Sequence, residues 1–181
     1  LGVIHGDPHL GNYTLVGEGE RLNLLDFGCI RIFPPRFVGG VVTLYRALLA
    51  DDRAAQRQAY ETWGFKGLND DLIETLNVWA RFIYGPLLDD RVRTVADGVA
   101  PGEYGRREAF RVRQALKERG PVTIPREFVF MDRAAIGLGA AFLHLQAEHN
   151  WKALYEASLE GFSETALAER QSAALAAAGL T

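Results

Sequence analysis

The run His5-Gly6-Asp7-Pro8-His9-Leu10-Gly11-Asn12 is followed, after one strand–turn–strand pattern, by Leu24-Leu25-Asp26-Phe27-Gly28. This ordered pair of segments constrains the chain more than any other feature in it. Tyr13 to Val16 and Arg21 to Leu25 alternate as two short strands, and Gly17-Glu18-Gly19-Glu20 between them is a polar turn. An antiparallel hairpin returns its end to its beginning, so Asn12 and Asp26 should meet at its open end. Taken singly the residues say little. Asp26 could end a strand in a turn, Asn12 could be a loop amide and Asp7 a cap. Their order and spacing, with a hairpin between, give the combination its weight.

A carboxylate, four residues and an amide in one loop, with a second carboxylate brought alongside from a following strand, suit phosphoryl transfer. That reaction needs little covalent help, so the residues act by placement and charge neutralisation. Asp7 would be the catalytic residue, orienting an acceptor hydroxyl or water and taking its proton late. Asn12 would offer an amide oxygen, and Asp26 a full negative charge, to Mg2+ on the phosphates of ATP. The same two residues are thus the expected metal and nucleotide ligands. His5, His9, Phe27 and Gly28 support them, the histidines as hydrogen-bonding struts. His144 and His149 lie five apart, which does not stack them on one helical face as a zinc pair.

With Asp26-Phe27-Gly28-Cys29-Ile30-Arg31, the run from His5 to Asn12 resembles the UbiB family of atypical kinases, the aarF-domain kinases linked to coenzyme Q biosynthesis. Phe37 to Asp52 is similar to that family's first helix after the Asp-Phe-Gly. Pro125 to Phe162, with Arg133, Gly137 and Trp151, is similar to its C-terminal helices. The resemblance implies a mainly α fold: the C-lobe of a protein-kinase-like domain with a short β-hairpin carrying the metal ligands. Residues 1–33 would hold the catalytic loop, hairpin and Asp-Phe-Gly, and residues 34–181 a helical body. It also implies a kinase or ATPase using Mg2+ and ATP in support of ubiquinone or isoprenoid-lipid metabolism. The implied partners are the nucleotide, an isoprenoid lipid or quinone precursor, and a membrane surface.

Two other readings belong beside this one. Aminoglycoside-type phosphotransferases share the His-Gly-Asp-x-His-x-x-Asn loop, but this chain lacks their second Asp-rich motif after the metal Asp. An Ala-Pro-Glu marking a protein-kinase activation segment is also missing, which argues against classical protein substrates. A non-catalytic kinase-like binding domain is the third reading, and the intact Asp7, Asn12 and Asp26 argue against it. A kinase fold also needs an upstream lobe that covers the phosphates, and the family's Lys-x-Gly-Gln segment lies there. Only four residues precede His5, so the expectation is a C-lobe fragment that is inactive by itself.

Composition agrees with one globular domain. The 181 residues are 48% hydrophobic and 24% charged, and the net charge of −3 offers no footprint for nucleic acid. The single Cys29 excludes an internal disulfide framework and reads as a small packed residue beside the expected metal site. Ala134 to Leu145 is the longest uncharged apolar stretch. At 12 residues it is too short to span a bilayer, which takes about 20, and it reads as a buried central helix. The expected location is cytoplasmic with peripheral membrane association.

Beyond the hairpin the periodicity is helical. Phe37, Val38, Val41, Val42, Tyr45, Leu48 and Leu49 line one face despite Gly39-Gly40. Asp51 to Trp63 is a second helix, and Asn69 caps a third that Gly85-Pro86 stops. Leu87 to Gly102, with its charges and Asp97-Gly98, reads as a loop with room for one turn of helix. Glu103 to Arg119 reads as a helix whose Arg106, Arg107, Arg111, Arg113, Lys117 and Arg119 form a solvated face or meet anionic lipid head groups. Pro125 starts a long helix, Asn150 to Gly161 holds another, and an Ala-rich helix runs to Ala178 before Gly179.

Overall fold

The computed structural model describes residues 2–97, 103, 106, 110, 114 and 125–180. The chain is mainly helical, with three small two-stranded antiparallel sheets. β1 (Val3–His5) pairs with β4 (Ile30–Ile32), setting His5 opposite Ile30. β2 (Tyr13–Val16) and β3 (Arg21–Leu24) form the expected hairpin, with Tyr13 opposite Leu24 and Leu15 opposite Leu22. β5 (Val92–Arg93) pairs with β6 (His149–Asn150). The β1–β4 and β5–β6 ladders were not anticipated. Each is two or three residues long, too short for alternation to register.

The core lies among α1 (Pro35–Leu49), α2 (Arg53–Thr62) and α3 (Asp70–Tyr84). Phe37, Leu44, Tyr45 and Leu48 of α1 recur at helical spacing, and all are buried against Tyr60, Trp63, Ile73 and Trp79. Gly40 weakens α1 as an isolated helix but is needed in the assembled one. A Cβ there would lie 2.6 Å from Nε1 of Trp63, whose indole N–H donates to the Phe37 carbonyl at 3.0 Å. Asp52 and Asn69 cap α2 and α3, accepting from Ala55 N at 3.0 Å and Leu72 N at 2.8 Å. The Gly85-Pro86 stop is a tightening: the chain continues as a 3₁₀ turn over Gly85–Leu88.

A buried polar chain ties the three helices together. Tyr60 donates to Asn77 at 2.9 Å, Asn77 to Gln56 at 2.8 Å, and Gln56 to the Ala47 carbonyl at 3.3 Å. Each member has a partner, so the network costs no orphaned polar group and fixes the helix register.

The C-terminal part contributes α4 (Arg126–His144), α5 (Trp151–Ser158) and α6 (Glu164–Ala177). Phe128 of α4 enters the main core, while Val95, Leu143 and Trp151 form a smaller one. The apolar stretch of α4 is not the buried central helix its composition suggests. Gly139, Ala141 and Leu143 are buried, but Leu138 is 42% and Leu145 65% exposed. The expected helix over 103–119 lies outside the described residues, apart from Glu103, Arg106, Phe110 and Gln114. Among the described residues no helix is long and apolar enough to cross a membrane.

Candidate active site

The loop after β1 is folded on itself by local bonds. The Asp7 carbonyl accepts from His9 N at 2.9 Å and from the side-chain amide of Asn12 at 2.9 Å. Asn12 closes a 3₁₀ turn over Leu10–Asn12 and is buried, with its amide N–H₂ committed to Asp7. Its amide oxygen makes no hydrogen bond among the described residues, so it remains an acceptor. The loop therefore holds Asp7 and Asn12 in one fixed relation, and the Asn12 side chain is itself the brace.

Asp26 is reached from the other side of the hairpin. Leu25 N donates to the Asn12 carbonyl at 2.9 Å, extending the ladder one step past the Tyr13–Leu24 pair. The Leu25 carbonyl meets His5 Nε2 at 2.9 Å. Leu25 is thus held on both its polar groups, by Asn12 and by His5, one residue before Asp26. His5 also accepts from Asp7 N through Nδ1 at 3.3 Å, which assigns its proton to Nε2. The histidine bridges the Asp7 loop and the end of the hairpin.

Asp26 has left-handed backbone geometry, φ 55° and ψ 75°, a conformation a non-glycine residue adopts at a cost of about 1 kcal/mol or more. Its Oδ1 accepts from Gly28 N at 3.2 Å, capping the 3₁₀ turn Phe27–Cys29. The capped turn hands the chain to β4, and Gly6 N donates to the Cys29 carbonyl at 3.1 Å, so this segment returns to the loop where it began. Cys29 is half-buried here, a packed residue as expected. Phe27 is 60% exposed, with its ring 6.2 Å from that of His5.

His9 accepts from Gly11 N at 3.1 Å, and its Nε2 lies 3.6 Å from Asp7 Oδ2. The Asp7 side chain keeps 44% of its surface in solvent. The loop is also fixed from outside the hairpin. Gly137 of α4 lies against Pro8, and a Cβ there would come within 3.1 Å of the proline ring. The sequence pattern places Gly137 on a helix, but its contact with Pro8 spans too great a separation to be legible in the sequence.

The donors at the hairpin's open end are an amide oxygen and a carboxylate. Among the described residues no group of three or more His, Cys, Asp or Glu could hold a metal ion. Two hard oxygen donors suit a magnesium ion that takes its remaining ligands from phosphates and water, and they do not suit a zinc or calcium cage.

This arrangement coincides with a known domain. Residues 1–60 match the ABC1 atypical kinase-like domain. The matched segment runs from β1 into α2 and so contains Asp7, Asn12, Asp26 and the helix that follows them. It agrees with the UbiB-type resemblance of the His5–Asn12 and Asp26–Arg31 motifs. No curated protein and no solved structure matches the chain.

Proposed function

We propose that this chain is the C-lobe of an atypical kinase or ATPase of the UbiB type, acting on Mg-ATP. Residues 1–33 would bear the site and residues 34–181 would form its helical support. The observation that carries the reading is the double clamp on Leu25, which fixes Asp26 one residue from the strand position paired to Asn12. Asn12 Oδ1 and the Asp26 carboxylate would hold the magnesium, which when bound neutralises charge on the phosphates. Asp7, half exposed and braced through its own carbonyl, would orient the acceptor and take its proton. His5, His9, Phe27 and Gly28 would keep the loop and the metal turn in shape. An upstream lobe would cover the nucleotide, so these 181 residues alone should bind Mg-ATP more weakly than about 1 mM and show no turnover. The family match over residues 1–60 supports an atypical kinase, and a role alongside ubiquinone or isoprenoid-lipid metabolism is what the UbiB resemblance of the His5–Asn12 and Asp26–Arg31 motifs implies.

Two substitutions divide the labour, measured with a nucleotide-covering lobe supplied. Asp26→Asn should weaken Mg-ATP binding and turnover together, because it removes charge at the metal. Asp7→Asn should leave binding nearly intact and lower turnover, because it acts on the acceptor in the transition state. Equal loss of affinity in both variants would make Asp7 a metal ligand or an anchor and overturn the assignment.

A further inference from the structure

The β2–β3 register puts Tyr13, Leu15, Leu22 and Leu24 on one face of the hairpin. On α4 and its C-cap residue Leu145, Leu138, Ala141, Phe142 and Leu145 follow the i, i+3, i+4, i+7 pattern of one helical stripe. Two apolar faces of this kind normally interdigitate to interior density. Here they stand apart and leave between them an open cavity of about 420 Å³, lined by Leu10, Tyr13, Leu15 and Leu22 from one side and by Leu138, Ala141, Phe142 and Leu145 from the other. Both faces are anchored outside the cavity. Gly137 holds α4 against Pro8, and the Leu25–Asn12 bond holds the hairpin to the loop. Leu15, Leu22 and Leu145 keep 69%, 58% and 65% of their surface exposed.

We infer that this cavity binds the hydrocarbon chain of a free single-chain amphiphile. Its volume falls in the range of small-molecule sites, roughly 300–1,000 Å³. Its walls decide the chemistry. None of the eight lining residues is charged, and the Tyr13 hydroxyl is the sole polar side-chain atom among them. A peptide strand laid in such a space would leave amides without partners, whereas a hydrocarbon needs none. Leu10 lies in the turn that Asn12 closes, between Asp7 and Asn12, so the occupant's polar head would emerge beside the catalytic loop. That last placement rests on the proposed function, but the cavity and its contents do not.

The test uses the 181-residue chain with N-phenyl-1-naphthylamine, an uncharged dye that brightens in apolar sites, and dodecanol as competitor. The expected result is saturable brightening at one site per chain, reversed by dodecanol. It should weaken at least tenfold in Ala141→Phe, which fills the cavity, and in Leu145→Glu, which charges its exposed rim. Leu145→Glu alters a mostly exposed position, so it keeps the test sharp if Ala141→Phe misfolds. Asp26→Asn should bind the dye like the parent, and with the covering lobe supplied it should lose Mg-ATP affinity, so the two readings can fail separately. Undiminished binding in Leu145→Glu, or no saturable site, would overturn the inference. So would sedimentation with phosphatidylcholine vesicles without displacement by dodecanol, which would make the surface a membrane contact.

Discussion

Replacing Asp132 by Asn should remove a loss of stability that the parent chain suffers as pH rises through 7. Asp132 projects from α4 and accepts from Trp79 Nε1 of α3 at 2.7 Å, while its Oδ1 is buried without a partner. Burial raises the carboxyl from 3.8 to about 7, against the smaller lowering effect of the Trp79 bond. The unfolded chain titrates this group near 3.8, so between that value and 7 the folded state binds the extra proton. Stability from this residue is therefore full below about pH 4 and falls as pH rises through 7, at about 1.4 kcal/mol per unit. The accumulated loss above pH 7 is about 4 kcal/mol. Asn keeps an acceptor for Trp79 and cannot ionise. Its amide N–H₂ takes the place of the orphaned oxygen, at a cost of about 1–3 kcal/mol that does not vary with pH. Urea unfolding followed by tryptophan fluorescence at pH 5 and pH 8 gives the comparison. The variant should gain about 3 kcal/mol on the parent between the two conditions. A difference that does not move with pH would mean that Asp132 is already ionised at pH 5, and the burial argument would fail.

The buried chain through α1, α2 and α3 makes a second prediction: Asn77→Ala strands the Tyr60 hydroxyl and Gln56 Oε1 and should cost about 3 kcal/mol in chemical denaturation. A loss under 1 kcal/mol would show that water replaces the amide. Gly137→Val should push Pro8 and shift the amide resonances of residues 6–12, with little change in melting temperature. Shifts confined to α4 would refute the contact as the loop's outer support.

The helices of the body were legible because each carries enough turns for its period to show, and because Asn69 and Gly179 mark ends by chemistry that depends on the sequence alone. The β2–β3 hairpin was legible for the same reason, its alternation being bracketed by a Gly-rich turn. What could not be read were the joints. β1 and β4 are three residues each, and their pairing joins the first segment to the one after Asp26. His5 was assigned as a strut, but which two segments it spans depends on that pairing. The α4 stripe misled for the opposite reason. Its composition promised burial, and composition does not say whether a neighbour is near enough to provide it.

The candidate site depends on a hairpin with little support of its own. Two-stranded hairpins are marginal in water, and every residue from Arg21 to Gly28 is exposed. What fixes the hairpin lies at its base: the Leu25–Asn12 and His5–Leu25 bonds, the Asn12 brace on Asp7 and the Gly6–Cys29 return. All of these converge on the residues between His5 and Asn12. The relation of Asp26 to Asn12 is therefore set by the loop and only weakly by packing along the strands. Side chains at the hairpin tip can vary without disturbing Asn12 and Asp26, the proposed metal ligands, whereas His5, whose two ring nitrogens hold both segments, cannot be replaced by a residue with one polar atom without releasing one of them.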